Sequence, residues 1–241
     1  GNTEYIFKLI ENCAKINVEY LTFQILSPDH FSTLDYSKYK YSKLVEIDYE
    51  EWVDINNVCS VYNIEFIPCF LDIFSFDKMK NLDFHYIKIH ATDLFNFRLI
   101  DKIIAYNPKN IIIESQVCNI HDIDLVMKKI QDYLGNIILF HGFSDYPTQY
   151  SDQNLNMINY LKQRYNIKIG FADHTLSTDV IPMLAISKGA DFIEKHITIE
   201  RKKEDFDSQV SLNIFEFDAL QKNIDKYACT FGDSIKYPVK N

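Results

Sequence analysis

Short apolar runs rich in Ile, Val, Phe and Tyr alternate along the chain with longer segments whose apolar residues recur every three or four positions. The runs at 18–24 (VEYLTFQ), 64–70 (IEFIPCF), 85–90 (HYIKIH), 110–115 (NIIIES), 136–141 (NIILFH), 167–172 (IKIGFA) and 191–196 (DFIEKH) have the length and side chains of strands. The helical period predicts helices over 3–16, 48–62, 73–80, 94–106, 120–134, 152–165, 178–188 and 212–230. Within 120–134, for example, Ile120, Ile123, Val126, Met127, Ile130 and Leu134 share one face. Near-continuous apolar strands alternating with amphipathic helices mean a parallel sheet covered by helices.

Seven strands and eight helices approach the (β/α)8 barrel, which takes about 250 residues. The chain has 241 residues and opens on a helix, so the expectation is an α/β fold, a (β/α)8 TIM-type barrel that lacks its first strand in this chain. No Pro/Gly/Ser-rich linker interrupts the series, so residues 1–241 read as a single domain, with 26–44 as a βα loop. A doubly wound open sheet is the alternative, but no GxGxxG or GxxxxGK[ST] follows any strand.

Composition narrows the function classes. With 47% hydrophobic and 24% charged residues, and 18 Phe and 16 Tyr to fill a core, the chain is globular. A net charge of -9 argues against a nucleic-acid partner, which needs a basic face to displace counterions. No apolar stretch has the length of a membrane span, and the N-terminus has no basic region followed by an apolar run. A soluble, cytoplasmic protein is therefore expected. Cys13, Cys59, Cys69, Cys118 and Cys229 form no CxxC pair and read as buried, reduced thiols. Only six glycines occur, and none lies between Gly1 and Gly135, which excludes a glycine-rich phosphate loop in the first half.

In a barrel of this type the reacting groups sit at the C-terminal strand ends and in the loops that follow. His90, His141, His174 and His196 occupy such positions, and His30 lies in a neighbouring loop. Lys88 and His90 are two apart and share a face, as do Glu194 and His196. His174 and His196 end consecutive strands, which in a parallel sheet are usually about 4.8 Å apart. Two neutral imidazoles so placed can bind one divalent ion, with Glu194 or Asp207 completing the shell, or serve as hydrogen-bonded structural histidines. Lys88 reads either as an anchor for phosphate or carboxylate or as a side chain that snorkels outward. The run Arg201, Lys202, Lys203, Glu204, Asp205 reads as a solvated loop.

The segments HGFSDYPTQYSDQNLNMINYLK (141–162), KIHATDLFNF (88–97) and IGFADHTLSTDVIPMLAISKGADFIEKHITIERKKEDFDSQVSL (169–212) resemble the sialic acid synthase family. The YPT, DHT and EKH-x-T elements, with Asp207 and Ser211 at matching offsets, carry the resemblance, and weaker similarity extends it over essentially the whole chain. It implies a (β/α)8 barrel that condenses phosphoenolpyruvate with an N-acetylated hexosamine. It also implies a manganese or magnesium ion held by His174 and His196. By position, Lys88 would contact phosphoenolpyruvate, Tyr146 and Asp207 the amino sugar, and Ser144 fills a slot that carries Asn or Ser in the family. Family enzymes are commonly dimers, so a homodimer is the expectation, without the C-terminal antifreeze-like domain.

The departures gather in one subsite. The family usually places a lysine at Thr22, a threonine near Cys69, a glycine-containing turn at His90–Asp93, an STG turn at Glu114–Gln116 and a serine at Ala172. Ala91 therefore stands within an altered turn, and Glu114 brings a negative charge toward an anionic ligand. These changes motivate an alternative reading: a degenerate homologue that binds sugar or metal or acts as a scaffold. An aldolase-like barrel with a Schiff-base lysine at Lys88 or Lys195 is a third.

Overall fold

A computed structural model describes residues 1–202, 207–232 and 235. Two compact units divide the chain, residues 1–140 and 141–241.

In the first unit, five strands lie parallel in chain order: β1 (Tyr20–Ile25), β2 (Glu65–Phe70), β3 (Tyr86–Ile89), β4 (Asn110–Glu114) and β5 (Asn136–Gly142), whose last two residues pass into the second unit. Helices α1 (Thr3–Lys15), α4 (Tyr49–Val61), α5 (Ile73–Met79), α6 (Phe97–Tyr106) and α7 (Ile120–Lys129) alternate with them. All five residues of β4 are buried, the pattern of a strand covered on both faces. The stretch 26–44, expected as a loop, carries the short helices α2 (Pro28–Phe31) and most of α3 (Tyr39–Val45). Pro28 opens α2 at a position where a missing N–H costs nothing.

The second unit carries β6 (Lys168–Ala172) paired in parallel with β7 (Phe192–Glu194), and the helices α8 (Asn156–Tyr165), α9 (Val180–Ser187) and α10 (Ile214–Ala228). A further parallel pair, β8 (Ile197–Thr198) with β9 (Leu212–Asn213), follows β7. With two residues each, β8 and β9 are too short to show a period in the sequence. Among the described residues, no helix is long and apolar enough to cross a membrane.

Caps explain where the helices begin later than their apolar period suggests. Asn96 accepts from the Leu99 N–H at 3.3 Å, so α6 starts at Phe97, and a 3-10 turn fills 91–93. Asn213 and Glu216 bond each other's backbone N–H as a capping box for α10. At the other ends, asparagine takes the left-handed conformation usual for glycine. Asn17, Asn63, Asn107 and Asn166 follow or close α1, α4, α6 and α8 with φ between 52° and 59°, and Asn154 is at 41°. Gly142 is different: a Cβ there would lie 2.5 Å from the Ala172 carbonyl oxygen, so only glycine fits. The five cysteines form no disulfide. Cys13, Cys59 and Cys69 are buried as expected, but Cys118 is half-buried and Cys229 exposed.

Candidate functional site

The functional side chains expected from the sequence fall into two clusters, one in each unit. In the second unit, the register that pairs Ala172 with Glu194, continued two residues, sets His174 opposite His196. Their ring centroids are 5.2 Å apart. The loop after β5 brings Tyr146 against both, 4.4 Å from His174 and 5.8 Å from His196. Two hydrogen bonds, one from the ring and one to the backbone carbonyl, tie that loop to His174. The His174 Nδ1 lies 2.6 Å from the Phe143 carbonyl oxygen, and the Thr148 N–H donates to the His174 carbonyl at 3.1 Å. Since a carbonyl can only accept, Nδ1 carries a proton, and in the neutral ring Nε2 keeps its lone pair. His196 Nδ1 stands 3.6 Å from Asp207 Oδ2. Asp207 is at φ 52° and its carbonyl accepts from Val210 and Ser211, which fixes the turn that presents its carboxylate. Ser144 lies exposed in the Tyr146 loop.

This donor set fits a divalent ion in part. A carbonyl or carboxylate on the far nitrogen is the usual way a metal-binding imidazole is oriented. Among the described residues, no group of three or more His, Cys, Asp and Glu stands together as a metal site. Two imidazoles would thus leave several coordination positions to water or substrate, as in catalytic rather than structural centres.

Beneath the two histidines lies a pair that single-position reading of the sequence misses. Asp173 Oδ2 is 3.0 Å from Lys195 Nζ, with both side chains wholly buried. Asp173 Oδ1 also accepts from the Thr175 N–H at 2.8 Å, and Lys195 donates to the Thr175 carbonyl. Burial pushes the Lys195 ammonium below its ordinary value against the pull of Asp173. The signal was present: an acid directly before one histidine and a base directly before the other. Successive residues of a strand point to opposite sides, so DHT and EKH each give one residue to the buried side and one to the site.

In the first unit, Lys88 does not snorkel outward. Its Nζ is 2.6 Å from Glu114 Oε1, each side chain is 5% exposed, and the ammonium also stands 5.8 Å from the Phe140 ring. Gln116 donates to the same carboxylate oxygen at 3.2 Å, and His90 Nε2 lies 3.8 Å from Oε2. Burial by itself would raise the Glu114 carboxyl. The charges of Lys88 and His90, with hydrogen bonds from Lys88 and the Ala91 N–H, outweigh it and hold Glu114 below the usual carboxylate value. Both lysines considered for a Schiff base are thus ammonium partners in buried ion pairs.

The remaining candidates are structural or lie elsewhere. His141 is buried with Nε2 3.0 Å from the Gln153 carbonyl, and burial lowers its pKa. His30 stacks on Phe74 at 4.0 Å. Of the charged run after β8, Arg201 donates to the Ser211 carbonyl and pairs with Glu216, whereas Lys203, Glu204 and Asp205 lie outside the described residues.

Residues 5–236 match the model of the NeuB family. An uncharacterized protein of Methanocaldococcus jannaschii is 30% identical over 99% of this chain and 71% of its own length. The N,N'-diacetyllegionaminic acid synthase of Legionella pneumophila is 26% identical over 85% of this chain, which spans 58% of that enzyme's length. Among solved structures, the N-acetylneuraminic acid synthetase of Leptospira borgpetersenii superposes with a TM-score of 0.91 at 23% identity, covering 99% of this chain and 83% of that one. A truncated 3-deoxy-D-arabino-heptulosonate 7-phosphate synthase from Thermotoga maritima gives 0.74 at 18% identity, over 95% and 83% of the two chains. These likenesses identify the fold as the expected (β/α)8 type, with seven strands in the main series among the described residues.

Proposed function

Because the chain belongs to the NeuB family, we propose that it is a synthase of a nonulosonic acid, joining phosphoenolpyruvate to an N-acetylated hexosamine. In this reaction C3 of phosphoenolpyruvate bonds to the aldehyde carbon of the open-chain sugar. Water then adds at C2, and the phosphate leaves with its bridging oxygen. The reading rests above all on the meeting of His174, His196 and Tyr146 within about 6 Å, supported by Asp207 at His196.

In this proposal Tyr146, Asp207 and the exposed Ser144 contact the sugar, and Lys88 holds the anionic partner. A divalent ion, manganese or magnesium, held by His174 and His196, would supply a Lewis acid for the sugar's carbonyl oxygen. The proton on His174 Nδ1, committed to Phe143, keeps Nε2 available for that role. Asp207, 3.6 Å from His196 Nδ1, stands where a carboxylate would orient the second ring. Five cysteines that form no disulfide support placing the reaction in a reducing cytoplasm.

Purified protein given manganese, phosphoenolpyruvate and N-acetylmannosamine or a related hexosamine should release inorganic phosphate well above a His196→Ala control. Release no greater than the control would overturn the proposal. The buried Lys88–Glu114 pair favours a second reading, a homologue that keeps the sugar and metal side but turns over weakly or only binds.

A further inference from the structure

Lys88 is the cation on which the anionic substrate of the preceding reading depends, and it already holds an anion. Glu114 Oε1 sits 2.6 Å from its Nζ, and both side chains are closed off from solvent. The same carboxylate takes a hydrogen bond from Gln116 and faces the His90 ring. An ammonium, an amide donor and an imidazole are the groups that a substrate carboxylate or phosphate would itself call upon. The β3–β4 register creates this arrangement. Lys88 is opposite Ile112, and Glu114 lies two residues further along on the same face.

We infer that Glu114 is a built-in anion that occupies Lys88 in place of a ligand's carboxylate or phosphate. Residue 114 is thereby the position that sets this chain's affinity for anionic substrates. The inference rests on Lys88 being the anion anchor. An incoming dianion must either displace Glu114 from the ammonium or settle beside a second negative charge. A carboxylate tethered to a strand end competes at an effective concentration that free ligand seldom matches. A neutral residue at 114 leaves Lys88, His90 and Gln116 to face the ligand without that competitor.

Calorimetric titration of phosphoenolpyruvate, and separately of inorganic phosphate, distinguishes capture through the phosphate from capture that needs the carboxylate as well. Wild-type protein should bind both weakly. Glu114→Gln and Glu114→Ser should bind phosphoenolpyruvate at least about tenfold more tightly, a gain lost again when Lys88→Met is added. Equal or weaker binding by folded Glu114 variants overturns the inference. So does a low-micromolar wild-type Kd for phosphoenolpyruvate, a criterion that holds even if both variants fail to fold. Tight binding by Glu114→Gln without phosphate release supports this inference while removing the synthase reading. Wild-type turnover at low-micromolar phosphoenolpyruvate does the reverse.

Discussion

The ends of β3 and β4 and the ends of β6 and β7 are built from the same ingredient, a buried lysine–carboxylate pair, used in opposite ways. At β6 and β7 the pair is Asp173 with Lys195, one residue before each histidine and wholly buried. The strand's alternation puts it on the buried side and the imidazoles on the other, where His196 is 31% exposed and His174 only 4%. At β3 and β4 the pair is Lys88 with Glu114, and Lys88 is itself the side chain expected to meet a ligand. A buried pair next to a functional group positions it, whereas a buried pair that includes the group takes it out of reach.

Removing one partner from each pair tests this contrast most directly. Asp173→Ala leaves Lys195 buried with only the Thr175 carbonyl, a loss of about 3–5 kcal/mol in urea denaturation. Lys88→Met should cost less, about 1–3 kcal/mol, because Glu114 keeps Gln116 and the His90 ring. If Lys88→Met proves as costly as Asp173→Ala, the two pairs are structural alike and the contrast fails.

Acid separates the two regions more gently. The folded Glu114 carboxyl lies below its ordinary 4.5, so its contribution is complete above that value and is lost as pH falls through the lowered one. The stability gap between wild type and Glu114→Gln should therefore be larger at about pH 7 than at about pH 3. His141 behaves differently. Burial depresses its folded pKa below 6.5, so the unfolded chain takes up the proton first and stability declines as pH drops from 6.5 toward that depressed value. A His141→Gln variant should lack this decline, as followed by denaturation across the range. A wild-type profile flat below 6.5 would show that the ring protonates without opening its bond to Gln153.

Among the described residues, periodicity made the seven main strands and eight of the helices legible, because burial on one face or both is written directly into residue spacing. The ends were less so. The period of 120–134 runs on to Leu134, yet α7 stops at Lys129 and Leu134 is almost fully exposed. The histidine pair could be read because consecutive parallel strands place their ends side by side. The partners of Lys88 and Lys195 could not be read one position at a time. Glu114 looked merely unfavourable to an anionic ligand until the β3–β4 register gave it Lys88, and the Asp173–Lys195 contact depends on which side each strand residue faces.

The left-handed asparagines bear on the other side of the folding equilibrium. Asn17, Asn63, Asn107 and Asn166 accept strain at helix ends that glycine would avoid. Glycine there would also loosen the denatured chain, by roughly 0.4–1 kcal/mol of conformational entropy per site. The two effects oppose each other, so Asn→Gly at Asn107 or Asn166 should change the unfolding free energy by no more than about 0.5 kcal/mol, measurable by urea titration. A chain with six glycines in 241 residues thus folds from a narrower ensemble than most, and part of its stability belongs to the state in which neither site exists.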